Sequence, residues 1–289
     1  MKTHSRFRTR CRSMPTTFEK PIISIYVPSI RPSLWKRLYD SLLLNRTPFE
    51  VIFVGPITGR FQLPKNVRYI CTSVKPSQCA EIGLRSCIGQ YCIFAQDDIV
   101  FSKKALDILY ETAKEKGDQV VVSCYPCVNY RRLQDSYYRF FPVDDKDTIH
   151  KKDSPIVPLC GIYKKSVLME LGGIDRNFIC SCWDIDLAMR FYEKGGQAIF
   201  HPDALANEIV VPKEKRLAAE GKKDRTFLES LWTMTHEEFK HPTNVGMPVF
   251  HIDNNIPIGV IVKTRRKPFT PFTEENIMTI SQDPKGRWQ

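Results

Sequence analysis

The chain has 289 residues, a formal net charge of +11 and 42% hydrophobic residues, which suits one large or two small globular domains with a sizeable core. No apolar run approaches the ~20 residues of a membrane span, and the basic start MKTHSRFRTRCRSMPTT has no apolar stretch behind it, which argues against a secretory signal. Ten cysteines without such a signal read as reduced thiols in a cytoplasmic setting, with a peripheral position at a membrane surface as the alternative.

Residues 1–20 read as a flexible basic arm that carries Lys2, Arg6, Arg8, Arg10 and Arg12. An apolar strand at 22–27 stops at Pro28-Ser29, and a helix at 33–44 follows, with leucines at helical spacing and Ser33 as its cap. Strands at 49–54 and 67–71 flank the break Gly55-Pro56, and a helix at 76–88 opens on Pro76 and closes before Gly89. A strand at 91–95 leads into Gln96-Asp97-Asp98, and a helix at 103–115 is expected to be capped by Ser102. Further on come a strand at 119–123, an aromatic and basic stretch at 129–141, and short helices at 165–171, 184–194 and 225–232.

This alternation predicts an α/β fold, a mostly parallel sheet flanked by helices. Ligands of such sheets bind beyond the carboxyl ends of the strands. Pro28 to Arg31, Gly55-Pro56 and Gln96 to Asp98 all leave such ends. Adjacent carboxylates repel and are costly to bury, so Asp97 and Asp98 either face water or are held by a cation.

Other signals are weaker. Cys124 with Cys127 has metal-ligand spacing and Cys180 with Cys182 offers a second pair, but a pair split by one residue is atypical of structural zinc and no His pair lies near. Basic runs at 213–216, 222–225 and 263–267 would attract anions. No nucleic-acid motif accompanies them, so a nucleic-acid partner is not expected.

Three stretches together resemble family 2 type glycosyltransferases of the GT-A fold, a Rossmann-like nucleotide-diphospho-sugar transferase architecture. They are IISIYVPSIRPSLWKRLYDSLL, CAEIGLRSCIGQYCIFAQDDIVFSKKAL and CGIYKKSVLMELGGIDRNFICSCWDIDLAMRFYEKGG. The likeness spans residues 20–210. It implies sugar transfer from a nucleotide-sugar donor to an acceptor hydroxyl with inversion, assisted by Mg2+ or Mn2+. The acceptor would be a glycan, a lipid-linked molecule or a protein. Asp98 matches the family's metal-reaching carboxylate and Asp97 the middle of its acidic turn. Asp184 matches the catalytic base. Pro28, Arg31, Gly55, Lys75, Gln96 and Asp97 fall where the nucleotide-sugar would bind. The catalytic domain would span 21–212, with 213–289 an extension packed on it.

The chain departs from the pattern in four places. Gln96 stands where the family has an acid and cannot neutralise a cation. Gly55 replaces a base-binding Asp, Trp183 replaces a Glu, and Asn207 falls near the place of a His. Asp184 also suits a helix N-cap, and the dipole there favours its ionised form. Asp186 reads as structural, paired with Arg190 four residues on. Trp183, Tyr125 and Trp232 are candidates to stack on sugar rings, against the commoner fate of aromatics in a core. Arg31, Lys75 and Arg225 are candidates for the diphosphate. A catalytically inactive GT-A-like protein that binds a nucleotide or glycan is the alternative.

Overall fold

The computed structural model describes residues 20–59, 61–133, 140–142, 156–210, 215–232, 234–238, 248–252, 265 and 267–277. Most of the predicted arm and of the basic runs at 213–216 and 263–267 lies outside the described residues. The chain runs through β1 (Ile23–Pro28), α1 (Pro32–Leu42), β2 (Phe49–Gly55), β3 (Val67–Cys71), α2 (Pro76–Ser86), β4 (Tyr91–Phe94), β5 (Ile99–Phe101) and α3 (Ala105–Lys116). It continues with β6 (Val120–Val128), β7 (Arg131–Arg132), β8 (Phe140–Pro142), β9 (Ile162–Lys164), α4 (Lys165–Glu170), α5 (Trp183–Glu193), β10 (Gln197–Glu208), α6 (Lys215–Leu231), β11 (Met234–Glu238) and β12 (Pro248–Ile252).

Strands β3, β2, β1 and β4 pair in parallel in that order. Antiparallel β9 separates β4 from β6, β10 lies parallel to β6, and β5 closes the edge antiparallel to β10. The fold class is therefore the predicted mixed α/β one, a mostly parallel sheet flanked by helices. β8, β12 and β11 form a separate small sheet.

Parallel strands covered on both faces read as unbroken apolar runs. Ile23, Ile25, Tyr26 and Val27 of β1 are accordingly all buried, as are Val51 to Val54 of β2. One apolar cluster gathers Trp35, Leu38, Leu42, Leu106 and Leu109 on the side of α1 and α3. The other gathers Tyr26, Leu84, Leu187, Phe191 and Trp232 on the side of α2, α5 and α6.

Both predicted serine caps fail. α1 starts at Pro32 with Arg31 as its N-cap and no side-chain hydrogen bond, because proline pre-sets the helical φ and lacks the N–H that a cap would satisfy. α3 starts beyond a left-handed Lys104. The Ser102 hydroxyl instead accepts the Leu205 N–H at 2.9 Å, where a register shift between His201 and Leu205 interrupts the β10 ladder. The residues after the acidic turn form β5 rather than running directly into the helix.

The segment 265–277 packs back on the core through a buried ionic network. Arg265 donates to Asp175 at 2.6 Å and to Asp186 at 3.2 Å. Arg190 donates to Asp186 at 2.8 Å and to the carbonyls of Leu171 and Gly173. Trp232 Nε1 donates to Asp186 at 2.9 Å, and both side chains are fully buried. The i+4 pairing expected of Asp186 is thus present, within a larger cluster. Gly172 is left-handed, at φ 86°, and a Cβ there would lie 2.5 Å from the Phe269 ring, so the Gly-Gly turn admits that aromatic.

No helix among the described residues is long and apolar enough to cross a membrane. Arg265→Ala would leave the buried carboxylate of Asp175 without its cation among the described residues and leave Asp186 to Arg190 and Trp232. It is expected to cost about 3–5 kcal/mol in urea unfolding, and a loss below about 1 kcal/mol contradicts the network as the anchor of this segment.

Candidate active site at the carboxyl edge of the sheet

The turn between β4 and β5 answers the question that its two acids raise. Asp97 and Asp98 are 3% and 6% exposed, so they do not face water. Arg31, from the loop between β1 and α1, reaches both. Its guanidinium donates to Asp97 Oδ1 and, at 2.9 Å, to Asp98 Oδ2. Ser29 Oγ donates to Asp97 Oδ2 at 2.6 Å and accepts Trp35 Nε1 at 2.6 Å and the Arg31 N–H at 3.2 Å. Trp35 stacks on Phe53 at 4.3 Å between ring centroids. A chain of side chains thus ties the acidic turn to the α1 layer.

Three of the four carboxylate oxygens are satisfied by protein donors. The fourth, Asp98 Oδ1, is buried without a partner among the described residues. A buried carboxylate oxygen left open fits a hard divalent cation, which needs only one or two protein carboxylates. Among the described residues no group of three or more His, Cys, Asp or Glu converges as a metal cluster, so the remaining ligands would be substrate oxygens and water. Burial raises the Asp97 pKa, and the hydrogen bonds from Arg31 and Ser29 only partly reverse this. For Arg31, burial lowers the pKa, but the two carboxylates together outweigh it and the net shift is upward.

The turn is fixed from both sides. The Ile99 N–H closes it on Gln96 O at 3.2 Å, and the Ile209 N–H beyond β10 donates to Asp98 O at 3.0 Å. Asn207, nearby on β10, accepts the Tyr130 N–H at 2.5 Å, while its own Nδ2 is buried and unpartnered among the described residues. Gln96 is exposed beside the pair.

The neighbouring strand end explains Gly55. A Cβ there would lie 2.0 Å from Ser29 O, so only glycine lets the β2 end pass under the loop that carries Ser29 and Arg31. Its carbonyl accepts Tyr69 Oη at 2.5 Å and the Thr72 N–H at 2.8 Å. Pro28 ends β1 beside Val54. Lys75 Nζ donates to Arg176 O at 3.1 Å.

Asp184 lies in the first turn of α5, whose N-cap is Cys182, so it is not itself the cap. The neighbouring Trp183 packs edge-on against Phe94 at 4.5 Å, at the end of β4. That contact brings the start of α5 to the strand that ends in the acidic turn. The carboxyl sits among protein groups although part of the residue stays open. Burial raises its pKa above the ordinary 3.8, while the Ile185 N–H, which donates to Oδ1 at 3.1 Å, pulls the other way. Desolvation therefore outweighs the lowering that the helix position was expected to give.

Asp224 of α6, inside the basic run 222–225, carries no sequence signal that singles it out. It is fully buried and accepts three backbone N–H groups, from Ile179 at 2.8 Å, Cys180 at 2.7 Å and Ser181 at 2.8 Å. Ser77 Oγ of α2 donates to Phe178 O at 2.5 Å in the same loop. Two helices thus hold the loop that delivers Asp184. Arg225 stands nearby: burial pushes the Cys182 thiol up to about 12, the Asp184 charge adds to that, and Arg225 opposes it.

The aromatic candidates divide. Trp183 and Trp232 are core residues, 4% and 0% exposed. Tyr125 is half-buried, donates to Leu133 O at 3.0 Å and lies under the Arg132 guanidinium. Cys124 and Cys127 are buried free thiols on β6, raised by burial, which suits core packing rather than metal ligation.

No protein-family profile and no curated protein sequence matches the chain. Solved structures do. S. aureus TarS 1–349 in complex with UDP matches at TM-score 0.50 and 18% identity, over 66% of this chain and 61% of that one. A second S. aureus TarS structure matches at 0.51 and 18%, over 66% of this chain and 37% of its own. GalNAc-T7 with UDP, GalNAc and Mn2+ matches at 0.57 and 13%, over 75% of this chain and 49% of its own. The chain thus spans less than two thirds of each. These neighbours have the GT-A fold, and this chain has it too.

Because burial raises the folded-state pKa of Asp184 above 3.8, its ionisation costs stability. That cost is absent below the unfolded value and complete above the folded one. Asp184→Asn has no charge to bury and is expected to raise Tm at pH 7, with the gap closing as pH falls toward 3.8. Thermal melts across this range check it; an equal or lower Tm at pH 7 contradicts it.

Proposed function

We propose that the chain is an inverting glycosyltransferase of the family 2 type, which moves a sugar from a nucleotide-sugar donor to an acceptor hydroxyl. The observation that carries this reading is the buried Asp97–Asp98 pair with one open oxygen, at the same end of the sheet as Asp184, on a GT-A fold. UDP in the TarS structure and UDP, GalNAc and Mn2+ in the GalNAc-T7 structure support a nucleotide-sugar donor and a divalent ion. In this reading residues 21–212 form the transferase domain and 213–289 an extension that buttresses it. Glycans, lipid-linked molecules and proteins all remain acceptors that fit.

Asp98 would hold the cation through Oδ1, and a cation bound there supplies charge stabilisation to the departing diphosphate. Arg31 stands beside it with a guanidinium suited to phosphate oxygens. Gln96, exposed at the turn, can hydrogen-bond a ribose hydroxyl but adds no charge. Gly55 has its carbonyl occupied, so base selection falls to other groups at the β2 end. Asp184 would accept the proton of the attacking hydroxyl as the new glycosidic bond forms. Its raised pKa makes the carboxylate a stronger proton acceptor than an ordinary aspartate. Asp224 would hold the loop before α5, and with it the position of Asp184.

Gln96 and the full occupancy of Asp97 favour one rival, a GT-A-like binder without turnover. A panel of nucleotide-sugars with Mn2+ separates the two. Release of nucleoside diphosphate from one donor is expected, lowered about 10²–10⁴-fold in Asp184→Asn and weakened in Asp98→Asn. Donor binding without turnover on any acceptor would favour the binder. Turnover indifferent to both substitutions contradicts the proposed roles.

A further inference from the structure

The contact between Arg31 and the acidic pair has a consequence for how the site loads, and it rests on the transferase reading only for the nucleotide. Arg31 already pairs with both carboxylates, through Asp97 Oδ1 and Asp98 Oδ2. The Asp97 carboxylate is saturated, since Ser29 Oγ takes its other oxygen at 2.6 Å. A divalent ion on the open Asp98 Oδ1 would share one carboxylate with a guanidinium, and two cations there repel. The guanidinium has somewhere else to go. It is 31% exposed while Asp97 and Asp98 are 4% and 9% exposed at their side chains, and its Nε is buried with no partner among the described residues. A planar guanidinium with unspent donors is suited to a diphosphate, which it can grip by two parallel hydrogen bonds.

We propose that Arg31 is a resident counter-ion that couples the two ligands: it holds Asp98 against a divalent ion until a nucleoside diphosphate draws its guanidinium away. Metal and nucleotide then load together, because each relieves the cost of the other. By reciprocity, the nucleotide raises metal affinity by the same factor as metal raises nucleotide affinity. Ser29 and Trp35 keep Asp97 in place when Arg31 turns, through hydrogen bonds that do not involve the guanidinium.

The test is Mn2+ binding, read by electron paramagnetic resonance on the full chain without nucleotide. Arg31→Gln is expected to bind Mn2+ about 5- to 150-fold more tightly than wild type, and Arg31→Lys, which keeps the charge, to fall between them. Adding UDP should tighten Mn2+ binding in both, because the diphosphate supplies ligands, but by a clearly larger factor in wild type than in Arg31→Gln. The proposal is overturned if Arg31→Gln binds Mn2+ no more tightly than wild type, or if Arg31→Lys matches it. Should Arg31→Gln fail to fold, wild type decides alone: Mn2+ affinity unchanged by bound UDP overturns the coupling. A wild type that binds no UDP overturns both this coupling and the transferase reading, whereas UDP-coupled Mn2+ binding without turnover on any acceptor defeats the transferase reading alone.

Discussion

Two adjacent carboxylates are buried at the end of a central strand, and that placement is the constraint from which the site follows. Buried like charges need a cation. Arg31 supplies it from the neighbouring loop, and the requirement fixes where that loop runs. Ser29 must reach Asp97, so the loop lies directly over the β2 end, 2.0 Å from where a Cβ of residue 55 would stand. Glycine at 55 is thus a condition of the ion pair two loops away. Pro32 then starts α1 at once, which brings Trp35 round to Ser29 at 2.6 Å.

A second set of buried charges governs the other side of the site. Asp186, two residues after Asp184, is locked by Arg190, Trp232 and Arg265, while Asp224 gathers the backbone N–H groups of 179–181. The first anchors the body of α5 and the second the loop that enters it. Asp184 itself has no ion pair among the described residues. Its carboxyl is buried, and burial raises its pKa against the pull of the Ile185 N–H, which is compatible with the proposed role as a base.

Much of this was legible in the chain. Apolar runs broken by Pro28-Ser29, Gly55-Pro56 and Gln96 marked the parallel strands and their carboxyl ends, because those residues end strands for local reasons. The pairing of Asp186 with Arg190 was legible for the same reason, since i and i+4 share a helix face. What local rules could not reach were partners distant in sequence. Ser29 and Asp97 are 68 residues apart, and Arg265 and Asp175 are 90 apart. Asp224 sat inside a basic run and read as part of a charged surface. Arg31 was read as a candidate for a diphosphate and not as the partner of the acids, because its target lies 66 residues on. The expected caps at Ser33 and Ser102 failed because proline pre-empted one and an interrupted strand claimed the other.

The proposed site stands or falls on whether a diphosphate and a divalent ion would meet at Asp98 Oδ1, beside Arg31. A crystal grown with UDP and Mn2+, with anomalous scattering collected for manganese, tests it most directly. The account predicts a manganese peak on Asp98, bridged to the diphosphate, with Arg31 turned from the carboxylates toward phosphate. A nucleotide bound away from the acidic turn, or a manganese peak that does not involve Asp98, would contradict it.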